Sequence, residues 1–410
     1  MGYLSELLKN WRPLLAATIG LGCGLGMNSY VMSIMAPHLI QDFGWTRATF
    51  AAVGALGLFS VPFFPLVGRL TDMFGVRATA MIGVIVGPLC FFGLSHMNGD
   101  IRMYVALYLV QGIICITTTA TVYARIVVQY VKGARGLALA IAASGSALTG
   151  AIGGPLLNAF VEGHGWRAGY WVVMGFTAVA GATALLLMPP EKKDPNAPPR
   201  RKAAREDYGA IFANRAFWVL GAAMILCNLP QVIALTQINL VLLANGVTSA
   251  GVTGMVAVLP IGVLVGRFIS GLALDRFPSW IVAMVSLGLP AIGLWLIASP
   301  YDSTAVLTLA VLLIGLAFGA EGDLITYLVV QHFGVRVFSS VMGLMTGIIS
   351  VSAALGAILI SVTLKMTDGY TAFMLIAGTT AAIGSLLFAL MPRQPTPVAD
   401  PVVAEEAAFA

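Results

Sequence analysis

Four charged residues lie well inside long apolar stretches of the sequence: Arg125, Arg267, Glu321 and Asp323. Placing a charge in hydrocarbon costs from about 3 kcal/mol to well over 10 kcal/mol, so such side chains persist where they pair or face water. The formal charges of these four sum to zero. We therefore expect them to mark a buried site that recognises a charged group or moves a proton.

Arg267 lies in the stretch LPIGVLVGRFISGLALDR, residues 259–276, about two helical turns before Asp275. Its planar guanidinium can hold a carboxylate through two parallel hydrogen bonds and stays charged when its surroundings change. We expect Arg267 to bind an anionic substrate. The alternative is an arginine that only bridges neighbouring helices.

Arg125 belongs to a polar stripe at helical spacing within residues 103–130. A side of a helix that faces lipid would not carry such a stripe, so it must face another helix or an aqueous path. Arg125 is a candidate substrate ligand or, because it lies two turns before Lys132, part of a cytoplasmic gate. The stripe contains Tyr104, Tyr108, Gln111, Cys115, Thr118, Arg125 and Gln129.

Glu321 and Asp323 are two residues apart, so on a helix their side chains point about 200° away from each other. They cannot both face one small site and need separate explanations. We expect at least one of them to carry a coupled proton, and the alternative is structural pairing.

Other polar residues in apolar stretches are candidates for lining a substrate path. Pro230 can bend its helix during a conformational change. The candidates beyond the stripe are Asn28, Tyr30, Asn228, Gln231 and Tyr327.

The elements that must position these residues are membrane-spanning helices. The chain has 410 residues, of which 59% are hydrophobic and 10% charged, whereas a soluble protein has roughly 25% charged residues. An apolar run of about 20 residues crosses a bilayer core as a helix. The sequence predicts an all-α integral membrane protein with twelve transmembrane helices, near residues 14–40, 48–67, 78–96, 103–130, 137–161, 169–189, 216–243, 250–274, 279–299, 304–331, 338–364 and 369–391.

Basic residues predict the orientation, because Lys and Arg are retained on the cytoplasmic side. With both termini in the cytoplasm, sixteen Lys and Arg lie in inside segments and four lie outside, the remaining two of the 22 being Arg125 and Arg267. The net charge of +5 therefore reflects topology and does not indicate nucleic-acid binding.

A stretch rich in proline and charge, PPEKKDPNAPPRRKAAREDYGAIFANR, separates two halves of six predicted helices. We expect an N-terminal bundle at 1–189, a cytoplasmic loop at 190–215, a C-terminal bundle at 216–392 and a disordered cytoplasmic tail at 393–410. Gly and Asp recur four apart in GRLTDMFGVR (68–77) and GLALDRF (271–277), which suggests two pseudo-symmetric bundles from a duplicated unit.

The sequence over residues 14–392 resembles the major facilitator superfamily. Gly68, Asp72, Gly75 and Arg77 match its pattern between spans 2 and 3. DFGWTRATF (42–50), RGLALAIAASGSALTGAIGGP (135–155), GWRAGYW (165–171) and GAEGDLITYLVV (319–330) resemble the bacterial monocarboxylate and oxalate/formate porter branch, where Arg267 stands at the substrate-binding arginine of span 8. The resemblance implies the major facilitator fold, with these gating residues: Gly68, Asp72, Gly75, Arg77, Arg135, Gly271, Asp275 and Arg276.

Three departures from the pattern of the family reduce the range of substrates that we expect. Span 11 carries no charge, whereas the oxalate porter has a lysine there for a second carboxylate. Tyr108 stands where drug exporters of the superfamily have an arginine, and span 1 lacks the lysine of animal monocarboxylate porters. The resemblance therefore implies a substrate with one carboxylate and leaves the proton-handling residue open.

The sequence thus predicts a non-enzymatic secondary transporter of a bacterial inner membrane that moves a small or aromatic monocarboxylate with a proton. Protonation of Glu321 or Asp323 would free an arginine for the substrate. We expect a monomer with no cofactor, no metal and no nucleic-acid partner, driven by a proton gradient across the lipid bilayer. The alternatives are a carboxylate exchanger, a drug or metabolite exporter, and a membrane receptor that binds without flux.

Overall fold

The structure of the chain is a computed structural model. It describes residues 3–45, 53, 56–190, 203–231, 233, 237–301, 303–367 and 369–393. Within these ranges the regular secondary structure is helical throughout. A helix satisfies its backbone hydrogen bonds internally, which a chain surrounded by hydrocarbon requires.

Nine helical segments in the described ranges are long and apolar enough to cross a membrane. A tenth results if Glu206–Ala213 and Arg215–Asn228, which meet at an angle of 67°, count as one span. The segment Arg135–Leu187 covers two predicted spans, so the nine segments account for ten of the twelve. The other two, 48–67 and 216–243, include residues outside the described ranges.

The chain divides into two compact units. Unit 1 comprises Met1–Ala197 and Val335–Leu344, and unit 2 comprises Pro198–Gly334 and Met345–Ala410. The boundary near residue 197 falls in the segment predicted to connect two bundles. The ten-residue return of the chain to unit 1 was not predicted from the sequence.

The helices of unit 1 are interrupted where the sequence has glycine. The first span breaks at Cys23 and Gly24, and the long helix at residues 154–187 has a non-helical glycine, Gly165, with φ 82°. This glycine separates the two spans that the sequence predicts there. The helices are α1 (Tyr3–Lys9), α2 (Trp11–Gly22), α3 (Asn28–Phe43), α4 (Phe63–Phe74), α5 (Val76–Ser95), α6 (Ile101–Ile114), α7 (Ala120–Tyr130), α8 (Arg135–Leu148) and α9 (Gly154–Leu187).

Unit 2 is built around long apolar helices, with a shared helix at residues 338–367 whose first residues belong to unit 1. The span predicted at 216–243 is discontinuous, because its first helix ends at Asn228, just before Pro230. The helices are α10 (Ala203–Ala213), α11 (Arg215–Asn228), α12 (Ile238–Ala244), α13 (Ser249–Val256), α14 (Val258–Leu274), α15 (Ser279–Ala298), α16 (Thr304–Phe333), α17 (Phe338–Thr367) and α18 (Thr371–Leu387).

Helix α10 lies inside the segment 190–215 that the sequence predicts as a loop. Its sequence, AAREDYGAIFA, contains good helix formers and no proline, which accounts for the difference. Residues 191–202 of that loop, residues 46–50 of the DFGWTRATF motif and the predicted tail from 394 onward lie outside the described residues.

Candidate functional site

The centre of unit 2 is a close pair of helices, α14 and α16. Both carry glycines four residues apart on the faces that meet: Gly262 and Gly266 on α14, and Gly315 and Gly319 on α16. A Cβ atom on Gly319 would overlap the carbonyl oxygen of Val263. Glycines at such contacts let two helix backbones approach closely.

The close packing of α14 and α16 brings the side chain of Arg267 on α14 near that of Asp323 on α16. Arg267 Nε lies 3.7 Å from Asp323 Oδ2, and the two side chains are 17% and 5% exposed. Neither of these two atoms has a hydrogen-bond partner. At 3.7 Å the pair is an ion pair and not a hydrogen bond, so the guanidinium keeps N–H donors for another acceptor.

Glu321 faces the other side of α16, as the helical spacing predicts. Its carboxylate lies beside the side chain of Asn228, the last residue of α11, whose Nδ2 donates to the Met224 carbonyl at 2.9 Å. Glu321, Asn228 and Gln231 line one cavity. The structure therefore separates the two carboxylates and groups Asn228 and Gln231 with Glu321, away from the Arg267 pair.

The other candidates of unit 2 lie further along the same two helices. Tyr327 is half-buried on α16, one turn after Asp323. Gly271 is buried near the end of α14, where Asp275 is half-buried and Arg276 is exposed. These three residues lie at the end of the helix that the sequence predicts to be cytoplasmic.

A polar cluster lies between α3, α6 and the turn after α6 in unit 1. Asn28 Nδ2 donates to Gln111 Oε1 at 2.7 Å, and the ring of Tyr108 stacks on Tyr104. Thr118 Oγ1 accepts a hydrogen bond from the backbone N–H of Leu25 at 3.1 Å. Four of the predicted ligands of unit 1 are thus close together.

Two cavities of about 20 Å³ each adjoin this cluster, and Asn28 and Gln111 line both. A water needs roughly 10–15 Å³ of such volume. In this structure the cluster can therefore hold water, and it lacks room for an organic acid.

Tyr30 is separate from the polar cluster. Its side chain is 41% exposed, its ring lies against Gly150, and it lines an apolar cavity of about 600 Å³ with Ile152 and Phe160. The prediction of Tyr30 as a polar substrate ligand stays untested, and its surroundings are apolar.

Arg125 forms a buried ion pair with Asp72 of α4. The Asp72 carboxylate also accepts the N–H groups of Ser339 and Ser340, at 3.1 and 2.6 Å, in the first turn of α17. Free N–H groups at a helix N-terminus favour a carboxylate. Arg125 therefore contacts Asp72, one of the predicted gating residues, and its role as a substrate ligand remains a prediction.

Three more predicted gating residues, Gly68, Gly75 and Arg77, belong to the same motif as Asp72. A Cβ on Gly68 would overlap the Ser339 carbonyl oxygen, so the glycine permits the approach of α4 to the start of α17. Gly75 ends α4 with φ 89°, and Arg77 is exposed one residue into α5. The motif thus covers the end of α4 and the turn after it, and its carboxylate on α4 reaches the start of α17.

Arg135 begins α8, next to a loop that binds Glu6, a residue that was not among the predicted site residues. The Glu6 carboxylate accepts N–H groups of Lys132, Gly133 and Ala134 at 2.8 to 3.1 Å. Burial opposes ionisation of this carboxyl, but those N–H groups and Arg135 outweigh it and lower the pKa of Glu6. Helix α1 is thereby tied to the loop before α8.

Two of the motifs that resemble the porter branch, DFGWTRATF and GWRAGYW, contact each other in unit 1. Trp166 Nε1 donates to Asp42 Oδ2 at 2.6 Å, and Arg167 lies over the Trp166 ring at 4.2 Å. The contact ties the end of α3 to the long helix α9. The signal in the sequence was an aspartate beside an apolar run, but nothing in the sequence identified its partner.

Comparison with known proteins agrees with this architecture. The sequence profile of the Major Facilitator Superfamily matches residues 14–357. Human monocarboxylate transporter 11 is 24% identical over 376 residues, covering 88% of this chain and 79% of that protein.

Solved structures share the fold at low sequence identity. The Escherichia coli fucose:proton symporter FucP superposes with a TM-score of 0.72 and 13% identity, covering 93% of this chain and 98% of that one. The human organic anion transporter MFSD10 gives a TM-score of 0.69 and 16% identity, covering 92% and 99%. The chain is a multi-pass membrane transporter that belongs to the Major Facilitator Superfamily.

Proposed function

We propose that this transporter carries a small or aromatic monocarboxylate together with a proton by alternating access. The observation that carries the proposal is the ion pair of half-buried Arg267 with buried Asp323, whose Nε and Oδ2 atoms lie 3.7 Å apart without hydrogen bonds. A guanidinium held this loosely can bind the two oxygens of a second carboxylate in parallel.

The charge distribution favours a substrate with one carboxylate. Residues 338–364 of α17 carry no charged side chain, and Arg125 is already paired with Asp72. Similarity to a monocarboxylate transporter over most of the chain supports the same class. Tyr327, one turn from Asp323, would suit an aromatic acid.

The cost of an unbalanced buried charge explains how movement of the proton would be coupled to movement of the substrate. Without substrate, Arg267 is neutralised by Asp323. When Glu321 or Asp323 takes up a proton and Arg267 binds the substrate carboxylate, the loaded protein carries the same net charge. A protein with only one of the two ligands would differ by one charge from the empty and the loaded protein, and an unbalanced buried charge costs several kcal/mol.

We place the protein in a bacterial inner membrane as a monomer with both termini in the cytoplasm. The excess of sixteen basic residues over four supports the orientation, and the motifs that resemble the oxalate/formate porters support the bacterial assignment. The proton gradient supplies the energy, and we propose no cofactor.

Uptake of labelled mono- and dicarboxylates into proteoliposomes under an inward proton gradient tests this function. Arg267→Gln should lower uptake of the preferred monocarboxylate about ten-fold or more, because a hydrogen bond to a charged group contributes about 1.5–3 kcal/mol. Arg102→Gln, which removes an exposed arginine at the start of α6, is the matched control and should leave uptake unchanged.

A double variant separates binding from folding. Arg267→Gln alone leaves Asp323 as an unpaired buried carboxylate, whereas Arg267→Gln with Asp323→Asn removes both charges. The double variant should fold and still fail to transport. If a folded double variant takes up substrate at the wild-type rate, Arg267 is not the substrate site. If counterflow is independent of the proton gradient, the protein is an exchanger.

A further inference from the structure

An apolar cavity of about 600 Å³ lies within unit 1, apart from its polar cluster and its ion pair. The walls come from the start of α3, from the junction of α8 with α9, and from the part of α9 after Gly165. Sites for organic ligands measure about 300–1,000 Å³, so this cavity has the size of a binding site. None of the described residues that line it is charged.

The junction of α8 with α9 leaves this space because its wall is poor in side chains. Residues Thr149–Gly153 form a single π-helical turn, a rare feature that is frequent at functional sites. Gly153 and Gly154 line the cavity. A Cβ atom on Gly154 would meet none of the described residues within 4 Å. The two glycines therefore leave room that larger residues would fill.

The three walls lie at the same depth of the predicted spans. The lining residues fall within 27–34 around the start of α3, 148–160 at the junction, and 172–176 of α9. Each set begins near the middle of its predicted span or lies beyond it on the side that the basic residues predict to be outside. The cavity therefore belongs to the half of the membrane that is predicted to be the outer leaflet.

The length of the cavity matches the hydrocarbon depth of one leaflet. From residue 148 to residue 160 a helix rises about 18 Å, and half of a hydrocarbon core of about 30 Å is about 15 Å. Leu148, Ile152 and Leu156 recur every four residues along this wall and are 52%, 62% and 67% exposed. An open apolar groove of this length can hold an extended acyl chain.

The chemistry of the walls favours a hydrocarbon chain over water or an organic acid. A buried water needs about two to four polar partners. The side-chain hydroxyls on the walls are those of Tyr30 and Thr149, and Thr149 Oγ1 already donates to the Gly145 carbonyl at 3.0 Å. A carboxylate would be buried here without a cation, which is costly. The methylene groups of an acyl chain need no polar partner.

We propose that this cavity binds one acyl chain of a phospholipid from the leaflet predicted to be outer, and that it is separate from the substrate site. The chain lies along the α8–α9 junction, against Ile152 and Phe160, with Val172 on the opposite wall. A chain enclosed by three walls makes more dispersion contacts than a chain on an open helix face. The site is therefore occupied in preference to the rest of the lipid-facing surface.

Photolabelling of the purified transporter in detergent micelles tests this site. Phosphatidylcholine with a diazirine in one acyl chain is titrated into the micelles, and the labelled residues are identified by mass spectrometry after illumination. Labelling within residues 148–160 and 172–176 should saturate with increasing lipid. Labelling at Val285 and Ile292, which are exposed on α15, should rise in proportion to the lipid. Proportional labelling of both regions would show contact with bulk lipid only and would overturn the proposal.

Two leucine substitutions on α9 provide the variant and its matched control. Gly154→Leu should lower labelling of the cavity about five-fold or more, because the added side chain takes the place of the acyl chain. Gly163→Leu, at an exposed glycine whose Cβ also meets none of the described residues, should leave labelling unchanged. Both variants should leave the labelling of α15 unchanged.

Unchanged labelling of the cavity in folded Gly154→Leu would overturn the proposal. Loss of the label in the presence of excess monocarboxylate would also overturn it, because the cavity would then belong to the substrate path. If Gly154→Leu folds poorly, the titration of the wild-type protein still decides, since it requires no substitution.

Discussion

Arg125 and Arg267 differ in how many contacts their carboxylate partners make. Asp72 binds Arg125 and also accepts two backbone N–H groups, so its carboxylate is fully engaged. Asp323 meets Arg267 at 3.7 Å, with an oxygen that has no hydrogen bond. A saturated pair suits a structural gate, and an unsaturated pair suits exchange with a ligand.

Substitutions that break the Arg125–Asp72 pair should lower the free energy of unfolding, and the effects of the two single substitutions should not add. Asp72→Asn and Arg125→Gln should each lower the free energy of unfolding by about 3 kcal/mol or more, because each leaves a buried charge unpaired. The double variant should lose less than the sum of the two, as measured by SDS titration in mixed micelles. Arg77→Gln, at an exposed position of the same motif, is the control; additive losses would contradict the pairing.

At the scale of single residues, the sequence identified the candidate site residues and their spacing, but it did not predict which residues contact one another. The two-residue spacing of Glu321 and Asp323 was enough to place them on opposite faces of a helix. The partner of Arg125 is 53 residues away in the chain, and no periodicity connects them. The partner of Trp166 is 124 residues away, so the role of Asp42 required the structure.

At the scale of elements, the site depends on how closely α14 and α16 approach. Gly319 and Gly322 look alike in the sequence, where both lie within two residues of Glu321. In the structure a Cβ at Gly319 would overlap the Val263 carbonyl oxygen, whereas none of the described residues lies within 4 Å of one at Gly322. A glycine that permits close packing can be told from one that faces open space only when the neighbouring helix is known.

This difference predicts the effects of two alanine substitutions. Gly319→Ala should separate α14 from α16, lower the free energy of unfolding by about 1–3 kcal/mol through overpacking, and reduce uptake by moving Arg267 from Asp323. Gly322→Ala should leave both quantities near the wild-type values. Denaturation in mixed micelles and proteoliposome uptake measure the two effects, and equal behaviour of the variants would contradict the packing.

Helix breaks were predicted in part. Pro230 indicated a bend, and α11 does end just before it. Gly165 occupies the gap between two predicted spans, although the chain around it is continuous helix on both sides. Apolar length and proline are local signals, whereas the return of residues 335–344 to unit 1 depends on the contact of α17 with Asp72 and Gly68.

At the scale of the whole molecule, composition predicted an all-helical membrane protein because a charged fraction of 10% leaves few alternatives. The duplicated Gly and Asp motif predicted two bundles. In the structure Asp72 binds the start of α17, and Asp275 is the residue that follows the last turn of α14.

The distribution of basic residues predicts the orientation of the chain, and reporter fusions can test it. Basic residues near span ends are retained in the cytoplasm, so the segment holding Lys132 and Arg135 should lie inside and the segment around Gly99 outside. Alkaline phosphatase, active only after export, should be active when fused after Gly99 and inactive after Gly133. Green fluorescent protein fused after Arg393 should fluoresce in the cytoplasm. The reverse pattern would show that the predicted membrane orientation is inverted. The contact of Glu6 with residues 132–134 would then lie on the outer face.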